Sequence, residues 1–88
     1  MGPRGASRGG KSPKVEIYGT SWCPYCRDAR NYFRSAGIPF DDYDVEADAD
    51  ARARREKFGG SGVPVIVIGD QVVHGFSRES VEKVLGIR

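Results

Sequence analysis

The stretch Val63-Pro64-Val65-Ile66-Val67-Ile68 constrains the fold of this chain more than any other. A run of apolar side chains bounded by Gly62 and by Gly69-Asp70 reads as a strand buried on both faces. Such a strand needs a sheet with helices packed on each side, so an α/β layer architecture follows.

The remaining elements fit that frame. Val15 and Ile17 alternate with Glu16 and Tyr18 as a short strand, which Gly19-Thr20-Ser21 breaks. Pro24 suits the first position of a helix, because its missing N–H would have had no partner there, and this places Cys23 at the N-cap. Cys26, Ala29, Tyr32 or Phe33, and Ala36 recur at helical spacing up to Gly37. Ile38-Pro39 restarts extended chain, and Phe40 to Val45 makes a second strand. A second helix is predicted from about Asp48 or Asp50 to Phe58, with Ala49, Ala53 and Phe58 facing inward and Gly59 as its stop. After the apolar strand, Gly69-Asp70 turns the chain into Gln71–His74. Ser77 then caps a helix with the stripe Val81, Val84 and Leu85, ending at Gly86.

The order β-α-β-α-β-β-α closes as one four-stranded mixed sheet with three helices, the minimal thioredoxin-like plan. It occupies residues 14–88 as one domain. Residues 1–13 combine Gly2, Gly5, Gly9 and Gly10 with Arg4, Arg8 and Lys11 and are expected to form a disordered tail. With 88 residues in all, a two-domain enzyme is excluded, and so small a core leaves little room to enclose a large cofactor.

Charge points to no polyanionic partner. Lys and Arg total 14 against 12 Asp and Glu, three of the cations lie in the tail, and no basic face is concentrated enough for nucleic acid. No apolar run is long enough to span a membrane or to serve as a secretory signal, so a cytoplasmic protein is expected; a monomer is expected as well. The acids Asp41, Asp42, Asp44, Glu46, Asp48 and Asp50 suggest calcium only until the spacing is tested. An EF-hand loop begun at Asp44 would put Ala49 at the turn glycine and Arg55 at the bidentate glutamate. They read instead as a solvated edge feeding a helix N-terminus. Gly59-Gly60-Ser61-Gly62 lacks the lysine and following helix of a phosphate loop and reads as a flexible connector.

Chemistry centres on Cys23 and Cys26, the only cysteines. A bridge between them would close too short a loop to staple a fold. Haem attachment needs a histidine where Arg27 stands, and a structural zinc site needs four ligands where the chain has two cysteines and one distant histidine, His74. Thiol chemistry runs through the thiolate, which the free amides and dipole of a helix N-terminus stabilise. Cys23 is therefore expected to attack a disulfide, and Cys26, three residues into the helix on the same side, to resolve the product.

Tyr18-Gly19-Thr20-Ser21-Trp22-Cys23-Pro24-Tyr25-Cys26, followed by Gly62-Val63-Pro64-Val65 and by Gly75-Phe76-Ser77, resembles the glutaredoxin family of the dithiol Cys-Pro-Tyr-Cys type. The resemblance spans about Val15 to Gly86. It implies a thiol–disulfide oxidoreductase acting on protein disulfides or glutathione mixed disulfides in cell redox homeostasis, with no bound cofactor or metal and glutathione as co-substrate. It further implies a cis Pro64 facing Cys23, a substrate that pairs with the backbone of Val63, and a substrate groove bordered by Tyr25, Gly75, Phe76 and Ser77. Two departures bear on the electron donor. Thr20 stands where many members carry a lysine, and His74-Gly75-Phe76-Ser77-Arg78 replaces a stretch with an acidic pair. Ser77 can still offer its hydroxyl and the helix N-terminus to a glutathione carboxylate. The Gly-Phe step also resembles glutaredoxin-like proteins that a thioredoxin-reductase-like flavoenzyme reduces and that supply electrons to ribonucleotide reductase. Iron–sulfur carriers of the family commonly have glycine in place of Pro24.

Overall fold

The computed structural model describes residues 13–86. Apart from Pro13, the expected tail therefore lies outside the described residues. Seven elements follow one another: β1 (Val15–Gly19), α1 (Pro24–Ser35), β2 (Asp41–Asp44), α2 (Ala49–Lys57), β3 (Val65–Ile68), β4 (Gln71–His74) and α3 (Arg78–Leu85). The sheet order is β2-β1-β3-β4. β1 runs parallel to β2 and antiparallel to β3, and β3 pairs antiparallel with β4. This is the expected four-stranded mixed sheet, with the acidic strand β2 at an edge.

Side-chain alternation in the two central strands explains why both faces are covered. Val15 and Ile17 of β1, with Ile66 and Ile68 of β3, point toward Ala29 and Phe33 of α1 and Val81 of α3. Tyr18 and Val65, with Val67 beside them, point the other way, toward Ala51 of α2 and Phe58. Regular pairing in β3 begins at Val65, so Val63 and Pro64 form the approach to the strand.

Three inward assignments change. The inward stripe of α2 is Ala51 and Arg55, while Ala49 and Ala53 are exposed. The physical reason is the helix start: Asp48 is the N-cap, its Oδ1 accepting the Asp50 and Ala51 amides at 3.0 and 3.2 Å. That register turns the i, i+4 pair Ala51 and Arg55 toward the sheet. Ala36, the last member of the stripe read for α1, is exposed because it is the C-cap of that helix.

The acidic cluster is local turn and cap chemistry. Asp44 Oδ1 accepts the amides of Glu46 and Ala47 at 2.9 and 3.1 Å, closing the turn before Asp48. Among the described residues, no three His, Cys, Asp or Glu side chains converge to hold a metal ion. No helix among them is long and apolar enough to cross a membrane.

Candidate active site

The β1–α1 turn places the cysteine pair. Cys23 has extended backbone geometry, φ −82° and ψ 120°, and Pro24 opens the helix behind it. Its Sγ accepts the backbone N–H of Cys26 at 3.3 Å, so one of the unpaired amides of the first turn is aimed at sulfur. Both cysteines are reduced and buried, Cys23 at 5% exposure and Cys26 at 0%.

Burial pushes the Cys26 thiol up to about 11, and the neighbouring Cys23 sulfur adds to the rise. A backbone contact with Thr20 and the Arg30 guanidinium act in the opposite direction. The pair is thus asymmetric: one sulfur sits at the helix mouth with an amide on it, and the other lies beneath as a protonated thiol.

Three residues that the sequence reading passed over build this pocket. Gly19, read as a strand breaker, lets Cys26 pack against β1, since a Cβ there would stand 2.6 Å from Cys26 Sγ. A glycine at the end of an apolar strand can mark close backbone approach, and that signal was available. Arg30, one turn beyond Cys26, donates through Nη2 to the Thr20 carbonyl at 2.9 Å. Its Nε also lies 2.9 Å from Asp42 Oδ2, with the N–H directed off the line, so this contact is ionic without being a hydrogen bond. Arg30 thereby ties α1 to the β1–α1 turn and to edge strand β2. Arg55, hidden in a charged helix, is only 6% exposed and donates to Gly62 O at 2.9 Å and Gly59 O at 3.1 Å.

The loop before β3 meets the cysteines from the far side of the chain. The Val63–Pro64 peptide bond is cis, as the resemblance implied. The Val63 carbonyl lies 3.9 Å from Cys23 Sγ, a distance that allows at most a weak thiol hydrogen bond. Gly75 donates its amide to Pro64 O at 2.7 Å, which brings the start of the α3 approach against the same loop. Cys23, Cys26, Val63, Pro64 and Gly75 are thus gathered at one end of the sheet.

The other three candidates are placed differently. Tyr25 is 62% exposed beside Cys23, as is Trp22 at 65%, whose indole donates to Glu46 at 3.0 Å. The Phe76 ring packs against Tyr32 at 5.9 Å between centroids and against the main core. The Ser77 hydroxyl accepts the Ser80 amide at 3.4 Å as the N-cap of α3. A groove of about 470 Å³ opens beside the site, lined by Thr20, Trp22, Arg52, Arg55, Gly62 and Val63 among others.

A covered mixed sheet with a cysteine pair at the start of its first helix, faced by a Val–Pro loop, defines a redox protein of the thioredoxin-like class. Comparison with known proteins makes this more specific. Residues 15–73 match the Glutaredoxin family, and the chain belongs to that family. It is 33% identical over 72 residues to an uncharacterized glutaredoxin-like 8.6 kDa protein in the rubredoxin operon of Clostridium pasteurianum, covering 81% of this chain and 96% of the relative. It is 38% identical over 64 residues to a glutaredoxin of Pseudomonas aeruginosa, covering 72% and 76%. The crystal structure of a glutaredoxin from Archaeoglobus fulgidus superposes with a TM-score of 0.69 at 28% identity, covering 81% of this chain and 84% of that one.

Proposed function

We propose that this glutaredoxin-family protein is a dithiol thiol–disulfide oxidoreductase. The observation that carries the reading is the Cys26 amide held on Cys23 Sγ at 3.3 Å over a buried second thiol. The Cys23 thiolate attacks a disulfide, forming a Cys23–S–S–R bond and releasing the other half as a thiolate. Cys26 then gives up its proton and attacks the Cys23 sulfur, or an external thiolate attacks the R-side sulfur instead. In the first case the products are R–S⁻ and a Cys23–Cys26 disulfide; in the second, Cys23 is freed and the external thiol carries R.

Val63 and Pro64 form the wall against which the substrate backbone pairs, with Tyr25, Gly75, Phe76 and Ser77 bordering the groove. The chemistry needs no bound cofactor or metal. Substrates are protein disulfides or glutathione mixed disulfides, and the protein works as a cytoplasmic monomer in redox homeostasis. Glutathione is the co-substrate in the first reading, its carboxylate received at the N-terminus of α3.

A second reading, reduction by a thioredoxin-reductase-like flavoenzyme and electron supply to ribonucleotide reductase, is favoured by one observation. Trp22 and Tyr25 present large exposed apolar surfaces on either side of Cys23, which suits a protein partner better than a small peptide. Offering the oxidised protein glutathione and thioredoxin reductase in parallel separates the two readings. Reduction by neither, in a protein shown to carry the Cys23–Cys26 disulfide, overturns both.

A further inference from the structure

Arg55 is a buried cation without a carboxylate partner among the described residues. Burying a charge is costly unless it is compensated, so its remaining contacts deserve an account. They are two backbone carbonyls, Gly62 O at 2.9 Å and Gly59 O at 3.1 Å. Arg55 also lies in the last turn of α2, where the helix dipole favours positive charge.

Both carbonyls belong to the loop that leads into the active site. Gly59, Gly60 and Gly62 have φ of 81°, 70° and 93°, conformations that glycine adopts at little cost and that give the loop few side chains with which to anchor itself. A Cβ at Gly59 or Gly62 would meet nothing within 4 Å, so side-chain packing does not hold either position. The Gly59 amide donates to Glu56 O at 3.2 Å and Gly60 lies against the His74 ring, but the carbonyl that precedes Val63 is held by Arg55.

The consequence reaches Val63. The Gly62–Val63 peptide is planar and trans, so its carbonyl and its N–H point in opposite directions. While Arg55 holds the Gly62 carbonyl, the Val63 N–H is turned away from α2. That N–H donates to no backbone carbonyl among the described residues. We infer that Arg55 is a positioning residue for substrate: by clamping Gly62 O it orients the Val63 amide to pair with the backbone of an incoming disulfide at Cys23. The inference rests on the proposed function and deepens it. The hydrogen bonds of Arg55 go to loop carbonyls and not to either sulfur, so it acts through the loop.

The test compares the full chain with Arg55→Leu, which removes the charge while filling a similar apolar volume, and with Arg55→Gln, which keeps one donor. Reduction of a disulfide-linked peptide is followed with dithiothreitol as reductant, alongside Cys23 alkylation by iodoacetamide, which requires no backbone pairing. For Arg55→Leu, kcat/KM should fall about five- to tenfold, the scale of one misaligned hydrogen bond, chiefly through a higher KM. Its alkylation rate should stay within about twofold of the parent, because nothing at the sulfur has moved. Arg55→Gln should be intermediate, and it decides the matter if the leucine variant does not fold. The Val63 amide should show increased motion in ¹⁵N relaxation in either variant. Unchanged KM with an unchanged Val63 amide overturns the assignment. An equal loss of alkylation and turnover also overturns it, since that pattern marks a collapsed site. Absence of turnover in the parent protein overturns the proposed function instead, and with it any substrate role for Arg55.

Discussion

Gly19 lies so close to Cys26 that a Cβ built on it would stand 2.6 Å from Sγ and 3.1 Å from the cysteine Cβ. Neither contact can be relieved by swinging a long side chain, because Cys26 sits in the first turns of α1 and is fully buried. Gly19→Ala should therefore push the start of α1 off β1, destabilising the protein by about 1–3 kcal/mol as overpacking does. A urea titration reads the stability loss. The same variant should resolve mixed disulfides more slowly than the parent, and wild-type stability together with wild-type resolution would contradict the close packing described.

The two cysteines should separate cleanly by substitution. Cys23→Ser is expected to abolish reduction of every disulfide, because it removes the sulfur at the helix mouth. Cys26→Ser should keep turnover that glutathione can resolve and lose reduction of protein disulfides through the dithiol route. Mass spectrometry of the Cys26→Ser protein after reaction should find the adduct on Cys23. Equal loss of both activities would contradict that division of labour.

Cys26 also makes stability depend on pH. Its thiol is raised from 9.0 to about 11 by burial first and by the Cys23 sulfur second, so the folded state retains this proton where the unfolded chain has released it. A raised value means the contribution is complete below the unfolded value, declines as pH rises above it, and is lost on passing the folded value. Chemical denaturation should show stability falling between about pH 9 and 11. The fall should be smaller in Cys26→Ala when each variant is compared with its own neutral-pH value. The same proton governs catalysis, because Cys26 attacks only as thiolate. Resolution of a Cys23 mixed disulfide should accelerate as pH rises from 7, as stopped-flow measurements of thiol release can follow.

Ser77 has a structural duty separable from its proposed binding one. Its hydroxyl caps α3 on the Ser80 amide, and Ser77→Ala should cost about 1 kcal/mol of stability, within the usual range for a lost cap. Ser77→Asp preserves a capping oxygen and should keep the melting temperature, yet it sets a negative charge where a glutathione carboxylate would dock. Turnover with glutathione should drop in the aspartate variant while dithiothreitol-driven turnover holds. Equal turnover with both reductants would remove Ser77 from the glutathione site.

Element order, covered sheet, Cys23 N-cap and Ser77 N-cap could all be read from the sequence because each depends on neighbours a few residues apart. Proline after Cys23, glycine after Ala36 and an apolar run between glycines act locally, through backbone geometry and through the alternation of side chains along a strand. The family could be read in the same way, from short motifs at fixed spacing.

What the sequence could not supply was which side chains meet across long separations. Val63 and Cys23 are forty residues apart and become neighbours only when β3 pairs with β1, and Gly75 reaches Pro64 only through the β3–β4 hairpin. Nothing in the sequence around Arg55 and Arg30 marks them as enclosed, because charged side chains are mostly exposed. The burial of Arg55 and the partial burial of Arg30 depend on carbonyls and a carboxylate that other parts of the chain bring to them: Gly59 and Gly62 for one, Thr20 and Asp42 for the other. Local propensity sets where the chain coils and turns, whereas the surroundings of a buried charge or a close glycine exist only once the sheet has assembled.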